Sequence, residues 1–93
     1  MYNLFLIDVG RDKTIVHKMD VITGDCLTPK ILSGELPYQV NSLLKLIAED
    51  RPDKIIFDKN GYGYYFYYYF MERVKFAPFD IDSFGLITYE GGR

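Results

Sequence analysis

The chain has 93 residues, 48% of them hydrophobic, so it reads as a folded domain near the lower end of what sustains its own core rather than as a disordered segment. Eleven Lys and Arg against thirteen Asp and Glu leave a net charge of −2, without the basic footprint of a protein that grips nucleic acid by charge alone. No stretch reaches the roughly 20 apolar residues of a membrane span, Met1-Tyr2-Asn3 lacks the basic start of a secretory signal, and the lone Cys26 excludes an internal disulfide. The expectation is a cytoplasmic protein in which Cys26 is a buried free thiol.

Residues 2 to 9 form the first strand, apolar on both faces through Leu4-Phe5-Leu6-Ile7. After the turn Gly10-Arg11-Asp12-Lys13, residues 14 to 21 alternate. Ile15, Met19 and Val21 share one face and Lys18 and Asp20 the other, the pattern of a half-buried antiparallel strand. Thr23-Gly24-Asp25 signals a turn, and Cys26 to Leu32 pairs back as a third strand, with Pro29 confined to an edge or a bulge. Leu36, Val40, Leu43, Leu44 and Ile47 recur at helical spacing, with Pro37 tolerated in the first turn, which predicts a helix from about 35 to 50. Arg51-Pro52-Asp53 ends it, because proline disfavours helical geometry in the residue before it, and Lys54 to Asp58 is the fourth strand. A crossover of this length makes the fourth strand parallel to an earlier one.

Gly61-Tyr62-Gly63 opens a segment in which eight of the nine residues 62 to 70 are aromatic. Phe66, Phe70, Met71 and Val74 recur at helical spacing, which predicts a helix from about 62 to 74. Lys75 to Ile81 reads as a fifth, edge strand and Phe84 to Tyr89 as a short further one. The whole is expected to be one α/β domain over residues 1–93, with a mixed five-stranded sheet in which the fourth strand lies beside the first.

Asp8 and Asp58 each close an apolar run and each precede a glycine-bearing turn. Neighbouring parallel strands lie about 4.8 Å apart, so carboxylates at their ends form a site for a divalent cation, Mg²⁺ or Mn²⁺, both of which prefer oxygen ligands. Read singly, Asp8 is a strand-end turn former and Asp58 an Asx-turn acceptor. Arg11, Lys13 and Lys59 bring positive charge to the same turns. Gly61 and Gly63 at a helix start suit close approach of backbone N–H groups to a phosphate, but the spacing is not a dinucleotide fingerprint. His17 has no histidine or cysteine partner nearby in sequence and reads as structural.

The order βββαβαβ, with aspartates closing the first and fourth strands, is the layout of the ribonuclease H-like fold. Ile7-Asp8-Val9-Gly10-Arg11-Asp12-Lys13-Thr14-Ile15-Val16 resembles the first nuclease motif of phage large-terminase subunits. Ile56-Phe57-Asp58-Lys59-Asn60-Gly61-Tyr62-Gly63 is similar to their second, and the resemblance runs over roughly residues 3 to 80. It implies a metal-dependent endonuclease that cuts viral DNA during packaging, with Asp8 bridging the metals, Asp58 holding one of them, and Arg11 or Lys59 steadying a phosphate. No ATPase segment precedes the motifs, and the late helix that supplies a third acidic ligand in that family has no counterpart, so Asp80 and Asp82 are the substitutes at hand. A phage-encoded chain of this kind would work in the bacterial cytoplasm.

Tyrosines around the whole circumference of the second helix exceed what one buried stripe needs. Tyr64 and Tyr68, one turn apart and opposite Phe66 and Phe70, are expected to be exposed and to bind a protein partner or a second copy. Two readings therefore stand: a terminase-like nuclease module, catalytically complete or not, with DNA as its partner; and a small phage-type domain of the same fold that acts through its tyrosine-rich helix as an inhibitor or assembly factor.

Overall fold

The computed structural model describes residues 2–89. They form β1 (Asn3–Val9), β2 (Lys13–Asp20), β3 (Lys30–Ser33), α1 (Leu36–Asp50), β4 (Lys54–Asp58), α2 (Tyr62–Val74) and β5 (Ile87–Tyr89), with a 3-10 turn at Ile81–Phe84. The five strands lie in the order β3-β2-β1-β4-β5. The first three form an antiparallel meander, while β4 runs parallel to β1 and β5 parallel to β4. The βββαβαβ order and the adjacency of the first and fourth strands are as the sequence predicts.

Both crossovers, β3 to β4 through α1 and β4 to β5 through α2, advance in the same direction across the sheet. With the right hand that such connections take, both helices fall on one face. Accordingly α1 packs on α2, and α2 packs on β1 and β4. Phe5 and Ile7 of β1, Val16 of β2 and Ile55 and Phe57 of β4 meet Val40, Leu43 and Ile47 of α1 and Phe66, Phe70 and Val74 of α2 in one core. The Phe57 ring lies 5.7 Å from Phe66, 5.2 Å from Phe70 and 5.4 Å from Tyr67, tilted or edge-on in each case, the arrangement that aromatic quadrupoles favour.

On β2 the face that enters the core is not the apolar one. Thr14, Val16 and Asp20 are buried, whereas Ile15 and Met19 turn away from the helices. Each polar group on the core side is satisfied there, which removes the usual penalty for burying it. The Thr14 hydroxyl donates to Gln39 Oε1 at 2.7 Å. Asp20 Oδ1 accepts the Ile22 N–H at 3.0 Å. Lys18 runs over the Phe5 ring and pairs with Asp50 at 2.8 Å.

Three sequence expectations are corrected. Residues 75–81 are not a strand: α2 ends in turns, with the Phe76 and Ala77 N–H groups donating to Arg73 and Val74, and Asp80 then caps the 3-10 turn by accepting the Asp82 N–H at 3.1 Å. Pro78 and the Asp80 cap favour turns over a ladder. The third strand is shorter than 26–32: Cys26 makes a single bridge to Met19, and the ladder begins at Lys30, past Pro29, which has no N–H to give. Cys26 itself is exposed rather than buried.

Candidate metal centre

β1 and β4 are in register through the pair Ile7 and Phe57, so Asp8 and Asp58 are the next residues on two adjacent parallel strands. Phe5, Ile7, Ile55 and Phe57 point to the helices, and alternation turns both aspartates to the opposite, open face. Asp58 Oδ1 accepts the Asn60 N–H at 2.9 Å, the Asx turn foreseen from sequence. The chain then reverses through Gly61 at φ 58°, a conformation that favours glycine. Gly63 lies flush against the Asp58 carbonyl, where a β-carbon has no room. The glycine spacing thus serves to seat the start of α2 on the end of β4.

At the end of β1, the Gly10 N–H donates to the Lys13 carbonyl at 2.8 Å and closes the turn. Gln39, buried on α1, ties this turn down: its Nε2 donates to the Asp12 carbonyl at 3.3 Å and to the Gly34 carbonyl at 2.8 Å. His17 Nε2 lies 3.8 Å from Asp8 Oδ2, with both side chains about half exposed. The sequence reading took His17 as structural. The signal was its place between Ile15 and Met19, on the strand face that pairs with Leu6 and flanks Asp8.

Hard oxygen donors on one face suit Mg²⁺ or Mn²⁺. Among the described residues no three His, Cys, Asp or Glu converge, so Asp8 and Asp58 form a two-carboxylate set whose ion would complete its shell with water. Asp80 and Asp82 do not supply a third ligand. They belong to the turn that packs at the start of β4, where Gly85 approaches the Asp53 carbonyl and the Arg51 guanidinium lies 5.5 Å from the Phe84 ring centre.

The two cations are held on the helix side of the sheet end. Lys59 donates its backbone N–H to Tyr89 at 2.8 Å, and its ammonium lies 4.9 Å from the Tyr67 ring centre and 5.9 Å from that of Tyr68. Arg11 lines a cleft of about 180 Å³ with Gly34, Gln39, Tyr62 and Tyr65. Tyr64 and Tyr68 are exposed at 45% and 52%, their rings 4.8 Å apart, while Phe66 and Phe70 are buried on the other side of α2. Burial raises the pKa of the Tyr67 hydroxyl above 10.0, helped by its neighbours Tyr68 and Asp82.

No protein-family model matches the chain, and no curated protein matches it in sequence. In structure it is similar to T. thermophilus RuvC in complex with Holliday junction substrate, with a TM-score of 0.61 and 13% identity over 97% of this chain. The chain spans 65% of the length of that RuvC chain. The likeness establishes the fold: a ribonuclease H-like mixed sheet of five strands with two helices.

Proposed function

We propose that the chain is a metal-dependent nuclease module of the phage large-terminase type, acting on DNA during packaging, with Asp8 and Asp58 as its carboxylates. The observation that carries the reading is their placement: consecutive to the Ile7–Phe57 pair, on neighbouring parallel strands, on one face. The RuvC relative, held in complex with a Holliday junction, supports it by using the same fold on a DNA substrate.

In this reading Asp8 and Asp58 hold Mg²⁺ or Mn²⁺, which when bound stabilises negative charge on the oxygens of a phosphodiester under attack. The chain's own groups orient the substrate. Arg11 and Lys59 stand on the other side of the same sheet end, so a DNA backbone that crosses this end meets the carboxylates first and the cations next. His17, beside Asp8, fixes the orientation of that carboxylate or relays a proton from water held there. The test is cleavage of single-stranded and duplex DNA with Mn²⁺, compared between the native chain and Asp8→Asn. Metal-dependent cleavage lost in Asp8→Asn is the expected result, and cleavage that survives the substitution overturns the assignment.

The exposed tyrosines favour a second reading, in which the domain binds a protein partner through α2 without catalysis. Retention of a partner by the native chain but not by Tyr64→Ser/Tyr68→Ser, in the absence of any cleavage, would select it.

A further inference from the structure

The sheet has one edge at β3, and only half of that strand's backbone groups are paired. Two bonds fix which way β2 turns its carbonyls: Lys13 accepts the Gly10 N–H on the β1 side at 2.8 Å, and Lys18 accepts the Leu27 N–H on the other side at 2.9 Å. Main-chain groups alternate sides along a strand, so Thr14 and Val16, like Lys18, turn towards β3 and form the bonded pairs with Leu32 and Lys30. Ile31 and Ser33 therefore direct their N–H and C=O groups outward. Among the described residues no strand lies beyond β3, and no bond outside the ladder reaches Ile31 or Ser33. The last described residues belong to β5, at the opposite edge, about 19 Å away across four strand spacings.

We propose that β3 takes up an extended peptide segment carrying an acidic residue, which joins the sheet as an additional strand along the groove between β3 and α1. That groove, of about 370 Å³, is lined by Lys30 and Leu32 from the strand and by Ser42, Lys45, Leu46 and Glu49 from the helix. An edge strand beside a helix supports recognition of this kind, because main-chain bonds hold the peptide while its alternate side chains enter the groove. Antiparallel pairing sets the requirement at each position. The peptide residue opposite Ile31 exchanges both main-chain bonds with it and lies on the open face, against a side chain that is 55% exposed. Its neighbour opposite Leu32 points into the groove beside the buried Leu32 and Leu46, and so is apolar. The residue opposite Lys30 shares that side and meets an excess of positive charge. The groove carries Lys30 and Lys45 against one carboxylate, and Glu49 reaches Lys45 only at 3.9 Å with both side chains exposed. An anion at this position is complementary. A second copy of β3 would bring Lys30-Ile31-Leu32-Ser33, which holds no carboxylate, so charge selects an acidic peptide over self-pairing. The contact is small, so binding is reversible.

Nuclear magnetic resonance with a short synthetic peptide tests the site. The peptide core, from N- to C-terminus, is threonine, leucine, valine and glutamate, placed opposite Ser33, Leu32, Ile31 and Lys30. On titration the Ile31 and Ser33 amides should shift and gain protection from hydrogen exchange, whereas the Leu32 amide, already bonded to β2, should gain little. A peptide with lysine in place of the glutamate should bind about tenfold more weakly, since a like charge replaces the complementary one. Ile31→Pro removes an outward N–H and leaves the bonds to β2 in place, so it should keep its circular dichroism spectrum and lose the peptide. Where Ile31→Pro does not fold, Lys30→Glu/Lys45→Glu replaces it and should reverse the preference between the two peptides. A native chain that binds neither peptide, amide shifts confined to residues outside β3, a folded Ile31→Pro that binds as before, or a charge variant with unchanged preference overturns the proposal. So does a native dimer in sedimentation velocity that Ile31→Pro dissociates, which would make a second copy the occupant.

Discussion

Gly63 and Asp58 meet backbone to backbone: the first turn of α2 is seated on the carbonyl of the residue that closes β4, with no space for a side chain between them. This contact holds the second carboxylate at the end of its strand. Gly63→Ala should therefore lower the unfolding free energy by about 1–3 kcal/mol, the usual cost of overpacking. It should also weaken any Mn²⁺ binding, because the chain around Asp58 must shift. Urea denaturation and calorimetry on the same variant measure the two effects.

Asp8→Asn should reduce Mn²⁺ affinity at least tenfold, about 1.4 kcal/mol, because it removes an anionic oxygen donor. His17→Ala should reduce it less, since the imidazole lies 3.8 Å from that carboxylate and acts through it. Isothermal titration of both variants decides the order. Equal affinities would make Asp8 a turn residue.

Gln39 joins β2, the β1–β2 turn and the Gly34 loop through three hydrogen bonds. Gln39→Leu strands the Thr14 hydroxyl in the core and should cost about 1–3 kcal/mol, the penalty of an unsatisfied buried polar group. Thr14→Val/Gln39→Leu should recover part of that loss. A double-mutant cycle from denaturant melts reads the coupling directly.

Tyr64→Ser/Tyr68→Ser removes two exposed rings that pair across one helical turn, a contact worth about 0.2–0.5 kcal/mol. The double variant should keep its circular dichroism spectrum and lose little stability. It should also lose any protein partner held by α2. An unfolded variant would place these rings in the core.

Tyr67 holds its proton above the ordinary value of 10.0 because burial disfavours the phenolate. The unfolded chain releases that proton first as pH rises. The stability this group contributes is therefore complete below about pH 10 and is lost as pH climbs towards the folded value. Tyr67→Phe should flatten the alkaline limb of the stability profile relative to the native chain, a difference that thermal melts between pH 9 and 11 would show.

Local patterns carried much of this molecule into view. The 3.6-residue spacing of Phe66, Phe70 and Val74 defined α2 within a tyrosine run that propensity alone would permit as a strand, and the bounds 62–74 hold. The apolar runs ending in Asp8 and Asp58 placed both aspartates at strand ends, and the length of the intervening helix made those strands parallel. These features depend on residues a few positions apart, so sequence alone determines them.

Which way the sheet faces is a different kind of fact. It follows from two crossovers that turn with the same hand and travel in the same direction, and no local pattern encodes that sum. Alternation on β2 favoured Ile15, Met19 and Val21 as the core side. The tertiary structure gave that place to Thr14, Val16 and Asp20, because Gln39 and the Ile22 turn supply the hydrogen bonds they need. The same placement moved Lys59 onto the tyrosine rings and brought His17 beside Asp8. Each of these relations joins residues distant in the chain, and only the packing of helices on one side of the sheet decides them.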